Sequence, residues 1–578
     1  MEKRSFKVRT ERTTDKITIE SKLISDGIEL CGVTVKFAEK CKPTKIRIEW
    51  EEDMTDCLNV FSPGCGTKHN MCQAWNPTIN HSSFSGGVPL LYTTTENDLN
   101  RCAVALSDPV TPSEIGFYVD DFYQNFKVIY FVNLFAGNCD PITEYHVDIR
   151  IDSRRLPYYE VLRDVYPFFS SYGFKIPEPP EAAELPLYSS WYNFHQTPDQ
   201  KMLLDDLSIA AELGFKTVIL DDGWQFVGPP KGPTYVNCGD WVVAEDKFPD
   251  FKAFTDGIHK LGMKLVVWFA LPFVGKNAAH YEYFKDMYLC DEDYQSVLDP
   301  RFKETRDYMI GTCRRFLEKY DIDGFKLDFI DKLNAKSDKK YDPERMDCET
   351  ADEAIERLLS ELVFELGKIK PDLMYEYRQG YIGPAINKFG NMLRVGDCAF
   401  DADNNRVNLT QLRLLGYPAA IHSDMLYWSK DEDVRLCARQ LLKIMFSVPQ
   451  ISVILSDIPD DQLRLLRRFI SYWSENRHIL LHGEFVPKNP GMDFPEITAR
   501  GKEKSITVLY SDGVYSYKGG NSDVFHCGND DGIVVENLSE DSIDVKIYDC
   551  FGDFVKEESI GAGGIKRVGV LPTGMIRI

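Results

Sequence analysis

"TVILDDGW" (residues 217–224) is a short β-branched and apolar run that ends in two acids, a glycine and a tryptophan. It does not alternate, so it reads as a strand buried on both faces, the habit of parallel sheets. Acids before a glycine also make the turn that ends a strand, so this fragment alone leaves Asp221 and Asp222 with two readings. Seven further runs share the form: "LPLYSSW" (185–191), "KLVVWFAL" (264–271), "DGFKLDFI" (323–330), "LMYEYRQ" (373–379), "MLRVGDC" (392–398), "AAIHSDM" (419–425) and "QISVILS" (450–456). Amphipathic helices lie between them, such as "TADEAIERLLSELVFELGKIK" (350–370), whose apolar residues recur at helical spacing and mark a core face. Eight such units over about 270 residues match a (β/α)8 TIM barrel. A doubly wound open sheet is the competitor, which eight regular units disfavour.

On either side the pattern changes. Residues 1–178 alternate apolar and polar residues in "KITIESKLI", "GIELCGVTVKF" and "TKIRIEWEE", which suggests an N-terminal β-sandwich. The proline-rich "KIPEPPEAAELP" (175–186) reads as a linker. The barrel is expected over 179–484. Residues 485–578 return to short alternating strands, "KSITVLY" and "IDVKIYDCFG" among them, and are expected to form a small C-terminal antiparallel β-domain.

The 578 residues carry a formal charge of −23, which argues against a nucleic-acid partner. No run approaches the roughly 20 apolar residues of a membrane span. The start, "MEKRSFKVRTERTTDK", has no apolar core of a secretory signal. The 15 scattered cysteines then read as free thiols in a reducing, cytoplasmic setting. The ten histidines show no zinc-hydrolase spacing, and there is no Walker loop, G-x-G-x-x-G or G-x-S-x-G. No metal or organic cofactor is expected.

Barrel enzymes build their sites at the carboxyl ends of the strands. Here those ends offer Trp191, Tyr192 and His195; Asp221, Asp222 and Trp224; Trp268; Lys326 and Asp328; Glu376 and Arg378; Arg394 and Asp397; His422 and Asp424. Acids, forked donors and tryptophans together suit a sugar, whose hydroxyls want bidentate partners and whose C–H faces stack on indoles. Glycoside cleavage needs two carboxyl groups. Asp328 follows Lys326 by two residues, so both project to one side of the strand and the lysine helps keep the aspartate ionised. Asp397, three residues after Arg394, is the partner acid, with burial expected to raise its pKa. Either could instead be a structural ion pair. Glu376, His422 and Asp424 share the rim with no role assigned.

The series "DDGWQ", "CGDWVVAEDKFPDF", "SVLDP", "GFKLDF" and "RVGDCAFD" resembles glycoside hydrolase family 36, the retaining α-galactosidases and their raffinose-synthase-like relatives. The resemblance implies that Asp328 is the nucleophile and Asp397 the acid/base. It implies that Asp221 and Asp222 hold galactose O4 and O6, that Lys326 contacts ring hydroxyls, and that Arg394 lies near O2. Trp191, Trp224, Trp268, Asp240 and Trp241 fall in pocket-lining motifs. Where many family members carry a Cys–Ser–Gly–Gly–Gly-like segment after the fifth strand, this chain has "YEYRQGYIGP".

The implied activity is hydrolysis of terminal α-galactosides in small molecules or oligosaccharides by double displacement, with the two carboxyl groups about 5–6 Å apart. An α-galactosyl transglycosylase, an α-N-acetylgalactosaminidase and a non-catalytic sugar-binding protein stay open as alternatives. So do a lysine-dependent barrel lyase and homo-oligomerisation.

Overall fold

The computed structural model describes residues 4–11, 16–63, 71–73, 78–120, 126–225, 235–334, 339–378 and 380–578, with the backbone alone at 71–73 and 334. Eight parallel strands form the centre: β1 (Leu187–Ser189), β2 (Thr217–Leu220), β3 (Lys264–Phe269), β4 (Gly324–Leu327), β5 (Met374–Arg378), β6 (Met392–Arg394), β7 (Ala420–His422) and β8 (Gln450–Ile451). Each falls inside one of the runs read from the sequence; Gln379, the last residue of the fifth run, lies outside the described residues. The order is β7-β6-β5-β4-β3-β2-β1-β8. A parallel bridge between His422 and Val448 closes the ring, with Val448 N donating to Ile421 O at 2.8 Å.

Local chemistry sets the units. The helix Gln200–Leu213 starts at Asp199, whose carboxylate accepts from Lys201 N and Met202 N, and stops at Gly214 in the left-handed region. Gly223 in "DDGW" has φ +113°, and a Cβ there would lie 2.6 Å from Gln196 Cα, so only glycine lets this turn approach the β1 loop. One unit departs from the regular pattern. Between β5 and β6 there is a single 3-10 turn, Ile386–Phe389, instead of a helix. The N-terminal region comes in there, with Gly87 N donating to Gly380 O at 2.9 Å.

The chain before the barrel forms two antiparallel sheets of five and seven strands. Strands such as Ile28–Cys41 alternate buried and open positions, and their inward residues build a common core around Trp50, Phe117 and Tyr130. After the barrel, the long helix Asp460–His482 leads into a seven-stranded and a three-stranded sheet. These sheets are mixed, because Lys504–Leu509 pairs with Asn521–His526, and Val514–Tyr517 with Ile533–Asn537, in parallel. No helix among the described residues is long and apolar enough to cross a membrane.

Candidate active site

Strand register stacks polar side chains inside the barrel. Trp268 of β3 pairs with Lys326 of β4, and Lys326 with Glu376 of β5. Arg378 of β5 pairs with Arg394 of β6, and Arg394 with His422 of β7. These are period-two positions, so their side chains share a face with Asp328 just beyond β4.

Asp328 is buried and held from three sides. Trp268 Nε1 donates to Oδ2 at 2.9 Å, Arg378 Nε donates to Oδ1 at 2.8 Å, and Phe329 N donates to Oδ1 at 2.8 Å. Arg378 Nη1 reaches Asp397 Oδ2 at 2.9 Å, so one guanidinium joins both carboxylates. Arg394 Nη2 binds the other oxygen of Asp397 at 2.8 Å, and Arg394 Nη1 pairs with Asp424. Asp424 also accepts from Tyr192 Oη at 3.0 Å and Cys398 N at 2.8 Å. Across the site, Lys326 Nζ donates to Asp221 Oδ2 at 2.6 Å. Asp222 accepts from Gln196 Nε2 at 2.7 Å and Gln225 Nε2 at 2.8 Å.

The electrostatics follow from this wiring. Burial pushes Asp222 up to about 6, against its two amide donors and with the charges of Asp221 and Asp328 adding to the rise. Burial likewise raises Glu376 and Asp424. At Asp397 partial burial pulls upward, but Arg394, Arg378 and Lys326 outweigh it and hold the carboxyl well below the usual range. His422 is buried, with Nε2 on Ala183 O at 2.7 Å and Nδ1 on Gln450 Nε2 at 3.1 Å, and burial lowers it to about 4. Among the described residues no group of three or more His, Cys, Asp or Glu could hold a metal ion.

Residues 185–385 match the Melibiase family model. A probable α-galactosidase C of Aspergillus terreus is 29% identical over 162 residues, which is 25% of this chain and 21% of that protein. An A type blood α-D-galactosamine galactosaminidase of Flavonifractor plautii is 28% identical over 197 residues, 30% of this chain and 17% of that one. The matched parts thus span about a fifth of these curated relatives. In fold, an α-galactosidase from Lactobacillus brevis aligns with TM-score 0.65 at 14% identity over 98% of this chain and 80% of its own. A family-36 α-galactosidase from Geobacillus stearothermophilus in complex with raffinose aligns with TM-score 0.64 at 14% identity over 97% and 81%. Residues 185–385 thus match the Melibiase family, and the chain shares its fold with these α-galactosidases.

Against the family-36 resemblance, several residues sit differently from expectation. Trp224 is fully buried among Phe269, Phe316 and Trp241, its indole N–H spent on Trp268 O at 2.9 Å, so it is core and not a sugar platform. Trp241 is buried between Trp224 and Trp268. Trp268 is buried as well and offers Asp328 a hydrogen bond instead of a stacking face. Asp240 accepts from Ala279 N at 2.7 Å and His280 Nδ1 at 2.7 Å, which commits it to pinning a loop. Trp191 is half-buried at the rim against His195. Lys326 pairs with Asp221 and not with Asp328, whose cation is Arg378. The expected upward shift of Asp397 is reversed, because its side chain stays 47% exposed while two guanidinia bind it.

Sequence reasoning leaves Arg378, Gln196, Gln225, Tyr192 and Asp424 without roles in the site. Arg378 and Asp424 carry a signal: each lies two residues after a polar strand residue, Glu376 or His422, on the same face at the rim. The glutamines lie outside strands and helices and Tyr192 in the single helical turn Trp191–Phe194, too short for periodicity to report direction.

Proposed function

We propose that this chain is a retaining exo-glycosidase that releases terminal α-linked galactose from small α-galactosides or oligosaccharides. The observation that carries this reading is the Arg378 guanidinium shared by Asp328 and Asp397. Carboxyl groups close enough to share one guanidinium suit double displacement, in which one carboxylate attacks directly and no water has to fit between the two. Asp328 attacks C1 on the face opposite the leaving group while Asp397 delivers a proton to the departing oxygen. Water then attacks the glycosyl ester, Asp397 takes its proton, and galactose leaves with the α configuration retained. The Lys326–Asp221 pair and Asp222 with its two glutamines supply the fixed donors and acceptors that would choose an axial O4 over an equatorial one. Raffinose in the Geobacillus enzyme of the same fold supports an oligosaccharide as substrate class. The thirteen free cysteines among the described residues support a reducing, cytoplasmic setting.

The test is hydrolysis of nitrophenyl α-galactoside by the wild type and by Asp328→Ala. The variant should lose roughly 10³-fold or more in kcat, and azide should restore turnover with a product of inverted configuration. A wild type inert on this substrate would sink the sugar assignment.

A further inference from the structure

Asp397 meets a contradiction in the empty site. A general acid must carry a proton to the leaving oxygen, yet both of its oxygens accept from guanidinia, Oδ2 from Arg378 and Oδ1 from Arg394. One of these contacts has to open before the residue can hold a proton. Arg394 is almost fully buried and is anchored by Asp424, with Glu376 3.5 Å away. Arg378 has an alternative home. Its side-on edge, Nε and Nη2, already lies on Asp328 Oδ1 at 2.8 Å, and its Cζ sits 5.4 Å over the Phe329 ring. Only Nη1 points to Asp397, whose side chain is half-exposed and faces incoming solute.

Resting on the reading above, we propose that Arg378 is a positioning residue that follows the negative charge between the two carboxylates through the catalytic cycle. When a sugar enters, Arg378 stays on Asp328 and releases Asp397, which takes up one proton from solvent. In the first step the Asp328 oxygen bonds C1, the C1–oxygen bond to the leaving group breaks, and the Asp397 proton goes to that oxygen. Asp328 is then a neutral ester and Asp397 an anion, so Arg378 shifts to Asp397. In the second step water bonds C1, its proton goes to Asp397, and the ester bond breaks. The charge returns to Asp328 and Arg378 returns with it. At each stage of turnover the pair carries one negative charge, matched by one guanidinium. The other charged or titratable groups facing Asp397 are Arg394 of β6, Lys326 of β4, Asp424 after β7 and Tyr192 after β1.

The experiment compares pH profiles of kcat/KM, which reports the free enzyme, and kcat, which reports the complex. Wild type and Arg378→Met are assayed on nitrophenyl α-galactoside, with Arg378→Lys as a second variant in case the first does not fold. The wild-type alkaline limb of kcat/KM should lie below that of kcat. In Arg378→Met it should move up by about one pH unit or more, and guanidinium ion added to the buffer should move it back. The lysine, with a charge but no fork, should fall between the two. A uniform loss of rate with both limbs unmoved would mark Arg378 as merely structural and overturn the proposal. A wild type inert on the galactoside would overturn the functional reading, and this inference with it.

Discussion

Trp268 donates its indole Nε1–H to Asp328 Oδ2 at 2.9 Å, while its own carbonyl accepts the indole N–H of Trp224 at 2.9 Å. Two tryptophans thus form a relay that aims the Asp328 carboxylate, with the outer one, Trp224, buried in the core. A hydrogen bond to a charged group contributes about 1.5–3 kcal/mol. Trp268→Phe keeps an aromatic ring beside Tyr235 and Trp241 but removes that donor and leaves a small cavity, so kcat/KM should fall about 10- to 100-fold with a modest drop in thermal midpoint. Steady-state kinetics beside a melting curve check this; unchanged kinetics would mean that Arg378 and Phe329 N suffice to orient Asp328.

Asp222 gives the fold a pH dependence opposite to that of an ordinary paired aspartate. Its folded pKa is about 6 against an ordinary 3.8. Between those values the folded state keeps a proton that the unfolded chain has lost, so this contribution is fully present below about pH 4 and is lost as pH rises through about 6. Asp222→Asn removes the titration. Urea unfolding at pH 4 and pH 7 should show the variant gaining on the order of 2–3 kcal/mol at pH 7 relative to pH 4 compared with the wild type; no relative gain would show that Asp222 is already ionised at pH 4.

His422 acts in the other direction. Its folded pKa of about 4 lies below the ordinary 6.5, so its contribution is present above pH 6.5 and is lost as pH falls through about 4. His422→Gln can keep a donor for Ala183 O and an acceptor for Gln450 while removing the charge. Acid unfolding of that variant should begin at lower pH than in the wild type. Because the Asp222 and His422 windows overlap between about pH 4 and 6 with opposite signs, only the single variants separate them.

The barrel could be read from sequence because its strands are non-alternating apolar runs that end in polar residues, a local property. The missing helix between β5 and β6 could not, since Gly87 and Gly380 come together from distant parts of the chain. Tryptophan misled for a related reason. An indole in a core and an indole under a sugar have the same composition signal, and barrel strands are buried on both faces, so Trp224 and Trp191 look alike until packing separates them. Neighbours along the chain do pair at Arg394 and Asp397, but not at the fourth strand. Lys326 and Asp328 share a face, yet each bonds across to another strand end, to Asp221 and Arg378. Those partners are set by the closure of the barrel.

Phe400 stands three residues beyond Asp397, 77% exposed and held at φ +62°, a backbone region a phenylalanine rarely adopts. Tyr192, after β1, stacks on it at 6.5 Å and Tyr427, after β7, meets it edge-on at 5.6 Å. Three segments therefore converge on an open aromatic face on the Asp397 side of the site, where a leaving group must lie if Asp397 protonates it. A pyranose ring can stack there through its C–H face, whereas fluoride cannot. Phe400→Ala should lower the ratio of kcat/KM for a galactosyl disaccharide to that for α-galactosyl fluoride by about fivefold, the worth of one aromatic contact. A ratio that does not move would mean the leaving sugar passes over Trp191 and His195 instead, and the same assay on Trp191→Ala would then carry the loss.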